Sequence, residues 1–328
     1  MTCGLTLTDE GGSISARTAD GLELFRYVHD DTDAPAESPR PYLHPVRTLA
    51  GDVVTIYRPV DHLWHRGFST ALPNVGPDNF WGGPTYLREQ GYVQLPNNGA
   101  TVHERFARAP GPVEDAGVEP AAGFDEELSW ITQDGRRIVT EDRALRARVL
   151  DPSTWTFSWA ARWASVADAP IVFGSPTTQG RPVAGYGGFF WRGPREFVLG
   201  SVLAPDDMAE PVDLVAARTE LEVAGSWPDV PAAMGRTGGW LGFVGRHDGT
   251  GRDSTVLIVD DPDNPNGPAP WFVRATPYAC ISPSPFYFAE AELGPEQSWS
   301  WRYDVVVHSG AMDPTAAASA VAAARGAR

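Results

Sequence analysis

Glycine and proline together make up about a fifth of this 328-residue chain, 34 and 30 residues respectively. That load constrains the fold more than any other feature. In a helix interior glycine costs about 1 kcal/mol relative to alanine, and proline about 3 kcal/mol. Long helices are therefore hard to write through such a sequence. Short β-type runs recur instead: Val53 to Tyr57, Arg137 to Thr140, Thr154 to Trp163, Gly188 to Trp191, Phe197 to Leu203, Thr255 to Val259, Trp271 to Ala275, Phe286 to Phe288 and Ser298 to Val307. Several alternate with period two, as a half-buried strand requires. Trp155, Phe157 and Trp159 share one face, and Trp299, Trp301, Tyr303 and Val305 another. Turn signals such as DGRR, DGTG, DPDNPNG and SPSP punctuate the runs. The pattern predicts an all-β fold, a large β-sandwich over residues 1–328 as a single domain. One helix is expected, at the tail from Asp313 to Arg325, with Pro314 in its first turn and an alanine-rich body. Residues 108–125, rich in Pro, Ala, Gly and acids, read as a surface loop.

Composition excludes whole classes of function. The net charge of −16 argues against nucleic acid and anionic membrane surfaces as partners, because both need basic patches. No run of 18 apolar residues exists to span a bilayer, and the first residues lack the features of a secretory signal. Cys3 and Cys280 cannot build a disulfide framework, and a cytoplasmic location is expected. All 26 basic residues are arginine. Without lysine there is no Schiff-base chemistry, no covalently held pyridoxal phosphate and no P-loop lysine.

The chemistry concentrates between Tyr42 and Trp81, which holds three of the seven histidines, His44, His62 and His65, together with Arg47, Arg58, Asp61, Arg66, Trp64 and Trp81. Histidine is the proton carrier of neutral pH and the commonest metal ligand, and arginine clamps oxyanions with a planar fork. On a regular strand His62 and His65 would point to opposite faces, so they meet one ligand only if the segment turns. Pro59 and Gly67 permit a loop. His62, His65, Asp61 and His103 are the candidate acid–base residues, with His44, Arg47, Arg58, Trp64 and Trp81 as candidates for holding substrate. A second stretch, GSPTTQGRPVAGYGGFFWRGP, adds Arg181, Tyr186, Trp191 and Arg192. Read as a strand, it places Tyr186, Phe190 and Arg192 on one face, with Gly188 leaving a gap. It does not match a dinucleotide fingerprint. A metal site would need three ligands or more from His44, His62, His65, His103, Asp61 or Glu104, and their spacing matches no common zinc motif. No cofactor is required by this reading, and a divalent metal is the open alternative.

The strings YLHPVRT, RPVDHLWHRG, NFWGG, VHERF and GRPVAGYGGFFWRGP resemble the methane-oxygenase PmoA-like family over roughly residues 40–310. The resemblance implies a supersandwich similar to that of galactose mutarotases, and ELGPEQSWSWRYDVVVH looks like the closing strands of that superfamily. HRGFSTALPNVGPDNFW is faintly similar to its HGFAR…W region. Methane oxygenase subunits are membrane-embedded, and this chain has no segment for that role. Mutarotases carry a catalytic glutamate shortly before the closing strands. Here WFVRATPYACISPSPFYF has none, and Arg274, Tyr278 and Cys280 stand there instead. The expectation is a carbohydrate-active enzyme performing elimination, hydrolysis or epimerisation on a sugar or oxidised glycoside. Its alternatives are a non-catalytic sugar-binding sandwich and a metal-dependent oxygenase using the histidines.

Overall fold

A computed structural model describes residues 4–114, 121–223 and 230–326. Cys3 lies outside them. Two eight-stranded antiparallel sheets make the body. The first runs, in spatial order, Leu5–Asp9, Ser13–Thr18, Glu23–Val28, Tyr42–Val46, Phe68–Ala71, Gly188–Arg192, Cys280–Pro283 and Trp271–Arg274. The second runs Ser201–Leu203, Trp240–Arg246, Asp253–Asp260, Ser298–Ser309, Thr154–Ser165, Arg137–Asp151, Ala121–Ile131 and Ala100–Val113. Aromatic side chains join them. Phe68 meets Phe157 edge-on at 5.3 Å and Phe189 stacks on Tyr303 at 5.2 Å. Trp155, Phe157 and Trp159 are buried on the inner face, as their alternation requires. The fold is an all-β sandwich.

Among the described residues there are two α-helices. The C-terminal one, α2 (Pro314–Gly326), buries Ala317, Val321 and Ala324 against Leu203, Trp240, Leu257, Val259 and Val306. The other, α1 (Val212–Val223), was not expected. Only its Leu214 is buried, so no apolar stripe marks it in sequence. Neither is long and apolar enough to cross a membrane.

Four local expectations need correction. Val53 to Tyr57 makes only isolated bridges, Arg47 with Val53 and Tyr57 with Arg66. Phe197 to Leu203 divides into a 3-10 turn at Arg195–Phe197 and a strand at Ser201–Leu203, because Leu199 takes a left-handed φ of 67°. Phe286 to Phe288 forms a turn instead of a strand, with Tyr287 N–H donating to Ser284 O at 3.1 Å. Pro285, beside it, has no N–H to offer a ladder. Of the expected loop 108–125, residues 108–113 continue the strand Ala100–Val113, where Pro112 pairs with Ala122, residues 121–125 open the strand Ala121–Ile131, and residues 115–120 lie outside the described residues. The strand Ala100–Val113 is the sheet's edge, and an edge tolerates the missing N–H of Pro110 and Pro112.

A polar network interrupts the apolar core. Arg143 Nε donates to Glu141 Oε1 at 2.7 Å and Nη1 to the Tyr27 hydroxyl at 2.8 Å, while Tyr27 donates in turn to Glu126. Trp130 Nε1 donates to Glu141 Oε2 at 2.8 Å, and the guanidinium lies 4.3 Å from the Trp159 ring. Glu126, Glu141 and Arg143 are all at most 2% exposed. Burial disfavours the Glu141 carboxylate and raises its pKa, with Arg143 opposing. Removing one partner from such a set strands the remaining charges. Arg143→Met is therefore expected to cost about 3–5 kcal/mol of stability, read from the midpoint of chemical denaturation. A loss below about 1 kcal/mol would show that the network acts like a surface ion pair.

Candidate active site

The segment Pro59–Arg66 turns as the two histidines require. His62 N–H donates to Pro59 O at 2.9 Å and His65 N–H to His62 O at 3.0 Å. Arg58 N–H then donates to His65 O at 3.0 Å, and Tyr57 bridges Arg66. Two successive turns remove the strand alternation that would separate the rings. His62 and His65 stack with centroids 4.5 Å apart and planes 12° from parallel.

Buried arginines hold this loop. Arg40 donates to the carbonyls of Trp64 (2.7 Å), Trp81 (3.1 Å) and Ser38 (2.9 Å). Arg66, fully buried, pairs with Asp31 at 2.7 Å and Asp33 at 3.0 Å. Arg58 takes a left-handed φ of 44° and is pinned there by a bidentate pair with Glu37, at 2.8 and 2.6 Å. Across the loop, Trp64 lies on the glycines of NFWGG. A Cβ at Gly83 (φ 67°) would fall 2.7 Å from its ring, so no larger residue fits beneath it.

The second stretch meets the loop through Arg192, which is 2% exposed. Its Nη1 donates to His65 Nδ1 at 2.6 Å and its Nη2 to Asp61 Oδ2 at 2.7 Å. The Tyr278 ring covers the guanidinium at 3.9 Å. Asp61 Oδ2 also accepts from His62 Nδ1 at 2.8 Å, and Oδ1 from Arg195 at 3.1 Å. Burial works against the Asp61 carboxylate, but hydrogen bonds from Arg192 and His62 overcome it and hold the pKa down to about 2.

These contacts assign the protons. A guanidinium has no acceptor, so His65 Nδ1 must carry a lone pair and its neutral ring bears the proton on Nε2. Ionised Asp61 only accepts, so His62 bears its proton on Nδ1 and keeps a lone pair on Nε2. Burial and then the charge of Arg192 push the His65 pKa well below its ordinary value. Burial also lowers that of His62, with Asp61 opposing. Two neutral imidazoles of opposite tautomer thus stand side by side, one offering a base and the other a donor.

Both rings line a cavity of about 480 Å³, walled also by Trp64, Trp81, Tyr92, Arg181, Tyr186, Phe272, Arg274 and Tyr278. Trp81 packs on Tyr186 at 4.6 Å and meets the His65 ring edge-on at 5.4 Å. Tyr92, on the hairpin Thr85–Leu87 and Gly91–Val93, shares a hydrogen bond with Tyr186 at 2.9 Å and accepts one from Arg181. Of the sequence candidates, His62, His65, Trp64, Trp81, Arg181 and Tyr186 line the cavity, with Asp61 and Arg192 behind the histidines. Tyr92, Phe272, Arg274 and Tyr278 were missed. Arg274 and Tyr278 do stand where the mutarotase comparison leaves ionisable groups in place of a glutamate.

Five candidates are elsewhere. Trp191 is fully buried between the sheets and donates Nε1–H to Val54 O at 2.8 Å. It alternates with Phe190 and Arg192, so it must face away from the cavity. His103 pairs with Glu126 at 2.9 Å on the second sheet, at the margin of the core network, with His29 at 4.4 Å. His44 bonds Thr55 Oγ1 at 2.9 Å and stacks near Tyr57. Arg47 accepts the Trp155 indole N–H through its carbonyl at 2.8 Å, and Arg58 is engaged by Glu37. The histidines are thus dispersed, and among the described residues no group of three or more His, Cys, Asp or Glu is placed to hold a metal.

The buried histidines give the fold a pH dependence. Burial, then the charge of Arg47, lowers His44 to about 4, and His65 is also strongly lowered. In the unfolded chain both rings titrate near 6.5. The unfolded state therefore binds more protons below that pH, and stability is present above 6.5 and lost as pH falls toward 4. Denaturation midpoints measured at pH 7, 6 and 5 should fall in that order, and His65→Gln should flatten the trend. A wild-type midpoint unchanged from pH 7 to 5 would contradict the neutral assignment.

No curated protein matches this chain. A family model covers residues 16–322, nearly the whole of it. The span takes in every residue lining the cavity and all of both sheets except the strand Leu5–Asp9 and the start of Ser13–Thr18, and the chain belongs to the family of unknown function DUF6807.

Proposed function

We propose that this protein is an enzyme that performs acid–base chemistry on a sugar or an oxidised glycoside in this cavity. The observation that carries the reading is the stacked pair His62 and His65, held in opposite tautomers by Asp61 and Arg192. His62 Nε2 takes a proton from the substrate. Asp61 orients the ring and stabilises the imidazolium that forms. His65 donates Nε2–H to an oxygen on which negative charge develops, and Arg192 keeps that tautomer in place. This division of labour suits proton abstraction beside a carbonyl, the first step of an elimination or epimerisation. Trp64, Trp81, Tyr186 and Phe272 offer aromatic faces to the C–H faces of a pyranose, in a volume typical of small-ligand pockets. The resemblance to mutarotase-like sandwiches points to the same class of ligand. The strongly acidic chain makes nucleic acid an unsuitable partner, and a cytoplasmic setting fits the reading.

The test is turnover of a sugar panel that includes 3-keto glycosides, with native protein, His62→Ala and Trp191→Ala. Removing the base should lower the rate by roughly 10²–10⁴-fold with the fold retained. Trp191→Ala should chiefly reduce stability, because Trp191 packs in the core. Full activity in His62→Ala would remove it from the mechanism. Binding without turnover in any variant would favour a sugar-binding module, and chelator-sensitive turnover a metal enzyme.

A further inference from the structure

We infer that the cavity takes a sugar acid, with the ligand's carboxylate held by Arg274 and Arg181. The inference rests on the reading of the cavity as a sugar site and adds the charge of the sugar. The chain carries 42 acidic and 26 basic residues, yet the cavity wall holds two arginines and no aspartate or glutamate. Asp61 lies behind the histidines and is occupied by Arg192, Arg195 and His62.

The two arginines differ from the many in this molecule that are neutralised by an acid. Arg17, Arg26, Arg58, Arg66, Arg143 and Arg252 each meet a carboxylate within 3.0 Å. Among the described residues the Arg274 guanidinium has no ion pair or hydrogen bond, only the Phe272 ring at 5.4 Å. Arg181 has a neutral partner, the Tyr92 hydroxyl, and lies 5.0 Å from that ring. Both positive charges are left uncompensated on an apolar wall, where an anion gains more than it would in water. Arginine's fork matches a carboxylate in two parallel bonds. Phosphate sites commonly add the amides of a helix N-terminus, and neither α1 nor α2 contributes to this wall. Those observations favour a carboxylate over a phosphate.

Calorimetric titration of the full chain with glucuronate, galacturonate, glucose, galactose and glucose 6-phosphate tests this. At least one hexuronate should bind about 10-fold or more tightly than its neutral hexose, with the advantage shrinking as salt rises. R274Q should reduce hexuronate affinity by about 10-fold or more and leave the hexose unchanged. R105Q, which changes an exposed arginine on the far edge strand, should reduce neither. If R274Q does not fold, R181Q carries the same expectation. Equal affinity for acid and neutral sugars, a preference for the phosphate ester, no hexuronate binding at all, or an acid preference that survives the arginine change would each overturn the inference. Binding is read without turnover, so the two readings fail separately. A hexuronate that binds but is never converted would sink the acid–base reading and leave this one standing.

Discussion

Arg192 is the interaction on which the site depends. Its guanidinium is buried, and a buried charge is tolerated only when it is paired and hydrogen-bonded. It meets that condition by reaching His65 Nδ1, Asp61 Oδ2 and the face of Tyr278. Each contact has a consequence. The first dictates the His65 tautomer, the second keeps Asp61 ionised, and the third brings the loop before Cys280–Pro283 onto the cavity. Because Arg192 ends the strand Gly188–Arg192, the reactive loop is referenced to the rigid sheet.

The loop needs this reference because its own backbone is irregular. Between Tyr57 and Arg66 it has two turns and a left-handed arginine, and regular pairing is limited to one bridge. Arg40 and Arg66 replace the missing ladder by binding loop carbonyls and the acids Asp31 and Asp33. Arginine suits this task because five donors on one planar group can satisfy several backbone acceptors at once. Three of the arginines in the RPVDHLWHRG and GFFWRGP regions thus serve three purposes: Arg58 fixes a strained turn, Arg66 fills the loop's polar interior, and Arg192 sets the chemistry.

The fold was legible because period-two alternation reports burial directly. Trp155, Phe157 and Trp159, or Trp301, Tyr303 and Val305, could face only a core. The site was partly legible for the same reason, since Tyr186, Phe190 and Arg192 fall on one face. Trp191 was separable by that alternation, and its polar neighbours misled. His103 shows a different limit. Ionisable residues cluster both in cavities and in buried networks, and sequence density does not distinguish them. Nothing local marks Tyr92 or Arg274 either; the hairpin and the sheet edge that carry them to the cavity are set by distant pairing. Helix α1 escaped notice because it buries one residue.

The central claim is that two neutral histidines stand together with opposite tautomers. Long-range ¹H–¹⁵N correlation of ¹⁵N-histidine-labelled protein measures this directly, with His62→Gln and His65→Gln supplying the assignments. The account predicts that at pH 7 His65 shows the proton on Nε2 and His62 the proton on Nδ1. It also predicts that His65 remains neutral as the pH is lowered past 6. A His65 signal that titrates near 6.5, or both rings in one tautomer, would contradict it.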